Sequence, residues 1–284
     1  MLALSVVLAA LLPAAAEPAL EVRVVPAAPR QGDVAVVFVA GARGARELTG
    51  SLAGRPLAFF PYGEEHVALA GIDLETKPGK AVWRVGVVDA AGIARKTSGT
   101  VGVKARRFPM QRLTLPRHLV DLDPETARRA EAEAARLRTL YATVTPERLW
   151  RGRFTRPVGG HDPGEGFGFR RIINGQPRMP HSGIDYAADR GTPVVASNRG
   201  RVALVGDFFF AGRLVVLDHG LGLYTLYFHL DGVDVIEGAL VERGRTIGTV
   251  GATGRATGPH LHFGAQLRGA RVDPSALLTL PLRD

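Results

Sequence analysis

From Leu20 to about Val103 the apolar positions fall in short bursts that read as strands. Val22-Arg-Val-Val25 and Ala35-Val-Val-Phe-Val39 are β-branched runs, and Ala81-Val-Trp-Arg-Val-Gly-Val87 alternates apolar with polar. Glycine and proline separate them at short intervals, which is strand-and-turn punctuation. Several short strands in this length predict a β-sandwich of immunoglobulin-like type over residues 17–105. That stretch holds no cluster of catalytic residue types, and its His66 reads as a surface or turn residue.

The pattern then changes. Asp123-Pro124-Glu125 is a helix start, with Asp at the N-cap, Pro at the first helical position and an acid in the first turn. Ala130, Ala134, Leu137 and Tyr141 recur at spacings of three and four and give one apolar face. The helix is expected to end before Pro146, within a linker over 106–148 that also carries His118.

From Leu149 to the end the chain again reads as β. Thr192-Pro-Val-Val-Ala196, Arg201-Val-Ala-Leu-Val205, Leu214-Val-Val-Leu217 and Leu223-Tyr-Thr-Leu-Tyr-Phe228 are strand candidates, with two more near Leu240 and Thr246–Val250. Glycine turns at Gly200, Gly212 and Gly220-Leu-Gly222 divide them, as in a compact antiparallel β domain. The chain is therefore expected to be mainly β, with a helical linker between two β units.

Composition narrows the function. The 284 residues suffice for two modest domains with hydrophobic cores. A hydrophobic fraction of 46% and a charged fraction of 22% are those of a soluble globular protein. The net charge of +9 favours an anionic partner such as an acidic cell-wall polymer. The basic residues are scattered rather than run together, which argues against nucleic acid. Leu2 through Leu12 is an apolar run too short to span a bilayer, and Ala14-x-Ala16 fits a signal-peptidase site before Glu17. Residues 1–16 are accordingly expected to be a signal peptide, and the mature protein to be exported to a periplasmic, extracellular or wall-associated space. With no cysteine there is no lipoprotein anchor, thiolate metal site, disulfide or cysteine nucleophile.

The chemistry concentrates in the last third. His181-Ser-Gly-Ile-Asp185, Tyr227-Phe-His229-Leu230 and His260-Leu-His262 hold four of the eight histidines and one aspartate. Imidazole and carboxylate are ligands zinc accepts, and a catalytic zinc usually takes three protein ligands and keeps one position open. In a strand, His260 and His262 share a face while Leu261 points to the core. Pro180, Ser182 and Gly183 argue against a helix through His181 and Asp185, so a loop leading into a strand must bring that pair together. His161, in a turn-rich loop, and His219, in a hairpin turn, read as bland. Phe208-Phe-Phe210 reads as groove lining or buried strand. Arg170 and Arg171 read either as contacts to peptide carboxylates or as an exposed salt-bridged pair, and Tyr186 as a packing residue.

Residues from about Gly166 to Pro274 resemble the lysostaphin-type (LytM-like) zinc metallopeptidases, which cleave peptide bonds in bacterial cell walls. The H-x-x-x-D of that family stands at His181–Asp185, its H-x-H at His260–His262, and its Y-x-H-L at Tyr227–Leu230. The flanks Gly191-Thr-Pro-Val194, Gly248-Thr-Val-Gly251, Thr253-Gly254 and Gly258-Pro259 match too. The resemblance implies the family's compact β fold, of duplicated-hybrid-motif type. It implies that His181, Asp185 and His262 bind one zinc ion, and that His229 and His260 are catalytic without being ligands. The implied function is zinc-dependent hydrolysis of peptidoglycan peptides, with no nucleic acid and no stable membrane anchor. The alternative is a non-catalytic regulator that activates cell-wall amidases, as similar proteins that have lost ligands do; here every ligand position is filled.

Overall fold

In a computed structural model of the protein, residues 19–160 and 164–282 are described. The expected signal segment and His161 lie outside them. The first eight strands are β1 (Glu21–Val25), β2 (Val34–Ala40), β3 (Glu47–Leu52), β4 (Arg55–Pro56), β5 (Phe60–Tyr62), β6 (Glu65–Gly71), β7 (Gly79–Val88) and β8 (Ala94–Val103). They form two four-stranded sheets, β1-β2-β6-β5 and β4-β3-β7-β8. Ala35, Val37 and Val39 of β2, with Ala68 and Ala70 of β6, face Leu52, Val85, Val87 and Val101 of the second sheet. The opposite face of β2 carries Val34, Val36 and Phe38, and it is buried as well. A strand apolar at every position is one covered on both sides.

What covers that second face is the rest of the chain. Val36, Phe38, Val67 and Leu69 pack in one cluster with Trp150, Phe154, Leu223, Leu267, Val272 and Leu277. Arg271 clamps the junction, donating to Asp73 at 2.8 Å and to Glu75 at 2.6 Å. Arg106 reaches Asp273 at 2.8 Å.

The linker holds β9 (Met110–Leu113), a turn of 3-10 helix at Arg117–Leu119 that includes His118, and α1 (Pro124–Ala142). The Asp123 carboxylate accepts from the backbone N–H of Glu125 and Thr126, as its cap position requires. The apolar stripe of α1 brings Leu137, Leu140 and Tyr141 onto Phe208, Leu214, Val216, Tyr224 and Leu226.

The remaining elements are β10 (Arg170–Ile173), β11 (Gln176–Pro177), β12 (Gly183–Ala187), β13 (Pro193–Val195), β14 (Gly200–Phe208), β15 (Gly212–Asp218), β16 (Leu223–Val233), β17 (Leu240–Val241), β18 (Thr246–Val250), β19 (His260–Leu267), β20 (Ala270–Val272) and α2 (Ser275–Leu278). Nine of these strands make one antiparallel sheet, whose central path runs β12-β19-β16-β15-β14-β17. β10 and β11 instead join β9 in a small separate sheet, with β10 parallel to β9. The fold is mainly β, as the patterning predicts. No helix among the described residues is long and apolar enough to cross a membrane.

Candidate metal centre

Strand register does most of the work of assembly. β12 pairs antiparallel with β19 so that Asp185 stands opposite His262 and Ala187 opposite His260. His181 arrives on the loop before β12, as Pro180 and Gly183 lead one to expect. Three donor atoms result: His181 Nε2, Asp185 Oδ1 and His262 Nδ1, lying 2.8, 2.9 and 3.0 Å from one another. A tetrahedral zinc with bonds of about 2.0–2.1 Å has ligand edges of about 3.3–3.4 Å. The triangle therefore needs to open by only about 0.4 Å per edge to hold such an ion.

The surroundings are shaped to this set. The His181 Nδ1–H donates to the Gly166 carbonyl at 3.0 Å, which leaves Nε2 with a lone pair for a cation. Gly166 has φ +113°, and a Cβ there would come within 2.8 Å of His181 Nδ1. At Gly183 a Cβ would lie 2.8 Å from Cε1 and Nε2 of His262. Phe228, opposite His262 on β16, stacks on its ring at 5.3 Å. Asp185 Oδ2, the oxygen turned away from the triangle, faces Arg171 Nη2 at 3.4 Å.

Electrostatics agree with a site that wants a cation. Burial opposes the Asp185 charge, but the His181 and His262 imidazoles in contact with it overcome that and hold the carboxyl well below its ordinary range. Burial pushes His262 down to about 4 against the pull of Asp185, so its imidazole is neutral at neutral pH.

The other two histidines converge on the same space by different routes. His260 follows strand alternation from His262, and its Nε2 lies 4.0 Å from Asp185 Oδ1. His229 neighbours Phe228, so plain alternation would turn its ring to the opposite face. A left-handed φ of 63° at His229 breaks the alternation and brings its ring centroid to 4.7 Å from that of His260. Such a backbone costs about 1–3 kcal/mol for a non-glycine residue. Both rings donate Nδ1–H to backbone carbonyls at 2.8 Å, His229 to Thr253 and His260 to Gly258. Burial, then the neighbouring His262 and His260, push His229 down to about 3.

The expected bystanders stay apart. His219 is buried in a separate network, with Nδ1 against the Arg199 carbonyl and Nε2 against Thr225 Oγ1. His66 is on β6 and His118 on the linker. Tyr186 is buried and packs on Phe263. Phe208 is buried while Phe210 stays partly exposed. Arg170 pairs with Glu75 at 3.9 Å, whereas Arg171 turns into the site. Sequence reasoning missed Arg255 and Arg178, and it missed the linker residues Gln111, Leu113 and Leu115 that wall a cleft of about 260 Å³ over the histidines. The alternation of Gln111-Arg-Leu113 was the available signal for that wall.

Residues 179–274 match Peptidase family M23. Over 95 residues, 34% of this chain, the sequence is 44% identical to the peptidoglycan DD-endopeptidase ShyB of Vibrio cholerae. Over 94 residues, 33% of the chain, it is 48% identical to the DD-carboxypeptidase/endopeptidase Mpg of Neisseria meningitidis serogroup B. The chain spans 22% of the length of each of these curated relatives. A crystal structure from Pseudomonas aeruginosa, named for peptidase M23, superposes with a TM-score of 0.69 at 34% identity, covering 88% of this chain and 95% of that one. Likeness of that extent, with the matched segment containing the whole His–Asp–His cluster, means that this chain belongs to peptidase family M23.

Proposed function

We propose that the protein is an exported zinc metalloendopeptidase that hydrolyses peptide bonds of peptidoglycan, with His181, Asp185 and His262 as metal ligands and His229 and His260 as its proton-handling residues. The observation that carries the reading is the triangle of donor atoms at 2.8–3.0 Å, with the outer nitrogen of His181 already committed to a carbonyl. When bound, zinc polarises the scissile carbonyl and acidifies the attacking water.

The chain's own groups do the rest. Asp185 and the two imidazoles fix where the cation sits, and Arg171 steadies the carboxylate from behind. His229 and His260 keep Nδ1–H on backbone carbonyls, so each offers an Nε2 lone pair to the cleft. The water's proton passes to one of these nitrogens as its oxygen bonds to the carbonyl carbon. The imidazolium so formed donates toward the charge building on the tetrahedral centre. It then returns the proton to the departing amine as the C–N bond breaks.

The peptidoglycan that the Vibrio cholerae relatives are named for and the surplus of positive charge support an anionic wall polymer as the target, and export follows from where that polymer lies. The complete donor set weighs against the regulator reading. Metal analysis of the purified chain is expected to give about one zinc per molecule. Digestion of purified murein is expected to release new amine ends. Zinc binding without amine release would replace the peptidase with the regulator, and absence of zinc would remove both the metal and the enzyme reading.

A further inference from the structure

A second hollow, of about 490 Å³, lies on the α1 side of the metal centre. It meets the first cleft at His181, His229, His262, Arg171 and Arg255. Arg178 lines the second hollow but not the first. This corner gathers three guanidiniums, while the acids beside it are already engaged, Asp185 with the histidines and Arg171, and Glu133 with Arg129 at 2.7 Å. Arg171 spends one Nη on Asp185 at 3.4 Å and its Nε on Gln111 at 3.2 Å. Arg178 donates only to neutral oxygens, of Val120 at 3.3 Å and Gln176 at 2.7 Å. Arg255 has no carboxylate partner among the described residues. Its guanidinium lies over the Phe210 ring, 4.1 Å from the centroid, and its backbone N–H is tied to the Phe210 carbonyl at 3.0 Å. Stacking fixes the plane of a guanidinium while leaving its N–H edge free for a bidentate acceptor.

We propose that Arg255 and Arg178, with Arg171 behind them, form a carboxylate-binding subsite on the α1 side of the metal centre, so that the preferred substrate is a peptide bearing a free carboxylate close to the scissile bond. The inference rests on the peptidase reading of the site and adds a substrate class to it. Crowding three guanidiniums at one corner is unfavourable without an anion. Burial, then Arg171 and Arg178, lower Arg255 to about 10, and it still carries full charge at neutral pH. The planar fork of arginine matches a carboxylate, whereas a bare ammonium would not give the same two-point alignment. A carboxylate held there would orient the peptide across the centre, and the phenyl face of Phe210 would keep the fork from turning away.

The test uses the zinc-loaded full chain and three branched peptides of one sequence: unmodified, amidated at the C-terminus, and amidated at the internal side-branch carboxylate. Amidating the carboxylate that occupies the subsite is expected to lower kcat/KM by about 10- to 100-fold, the loss of one charge-assisted pair. The affected peptide identifies which carboxylate it is. Arg255→Met is expected to abolish the difference by reducing turnover only of the peptides that keep that carboxylate. Equal cleavage of all three peptides by the wild-type chain would overturn the proposal, as would an Arg255→Met loss that is uniform across them. If no peptide is cut, the peptidase reading fails. The subsite is then decided by calorimetric titration: weaker binding of one amidated form supports it, and equal affinities overturn it.

Discussion

Replacing Gly183 by alanine tests whether the β12–β19 register sets the metal triangle. An added Cβ would lie 2.4 Å from the Phe263 carbonyl oxygen and 2.8 Å from the His262 ring. Heavy atoms in van der Waals contact sit about 3.5 Å apart, so the strands must part by about 1 Å. Asp185 and His262 are cross-strand partners two residues along, and their donor atoms start 2.9 Å apart. Parting of about 1 Å carries that edge past the roughly 3.4 Å that a tetrahedral zinc tolerates. Overpacking of this kind costs about 1–3 kcal/mol of stability. Misplacement of catalytic groups by about 1 Å costs on the order of 100-fold in rate. Gly183→Ala is therefore expected to melt somewhat lower, to lose zinc to a chelator at lower concentration, and to fall about 100-fold in kcat/KM on murein peptides. A variant that is folded by circular dichroism and retains wild-type zinc affinity and turnover would refute the claim that this glycine holds the ligands in place.

Asp185→Ala and His262→Ala are each expected to lose bound zinc and lytic activity together. His229→Ala is expected to keep zinc, measured by metal analysis, while turnover drops about 100- to 10,000-fold; loss of metal in that variant would make His229 a ligand. Burial holds His219 at about 4 in the folded chain against 6.5 unfolded. Between those values the unfolded chain binds the extra proton, so stability falls as pH drops from 6.5 toward 4, by roughly 3 kcal/mol. Urea unfolding at pH 7 and pH 5 should show a smaller fall in His219→Gln, and an identical fall would remove His219 as the cause. Asp73→Ala leaves Arg271 with Glu75 alone and is expected to cost about 3 kcal/mol by thermal melting; an unchanged Tm would mean the clamp carries no load.

Strand periodicity made the core of the site readable in advance. His260 and His262 share a face because a strand repeats every second residue, and Leu261 between them is buried. The loop before Asp185 was legible from Pro180 and Gly183, and α1 from its Asp123–Pro124 start. His229 was recognised by the Y-x-H-L resemblance, but its orientation was not readable. Alternation alone sends its ring to the wrong face, and a single left-handed residue reverses that. No propensity forecasts a positive φ at a histidine whose reward comes from tertiary contacts. Arg255 was hidden for a related reason, since its partner ring Phe210 is distant in sequence and joins it only through the packing of two loops. In β2 the sign was present and unread: apolar residues at every position meant two covered faces, hence a second body against the sandwich.

That second covered face bears on what the N-terminal sheets do for the chemistry. Phe38 and Val36 share a cluster with Leu267 of β19, the strand that carries His260 and His262. Gly71, at the end of β6, lies so near β20 that a Cβ would meet Ala270 at 2.7 Å. The sandwich is thus a packing partner of the strand that presents His260 and His262. The linker makes a second connection. β9 lies parallel to β10 with Gln111 beside Arg171, Gln111 Oε1 accepts from Arg171 Nε, and the same guanidinium reaches Asp185 Oδ2. From linker amide to guanidinium to carboxylate, each group restricts the next. A site built this way takes its rigidity from three stretches of chain far apart in sequence, and residues before Leu149 help hold the carboxylate at the orientation its neighbouring imidazoles require.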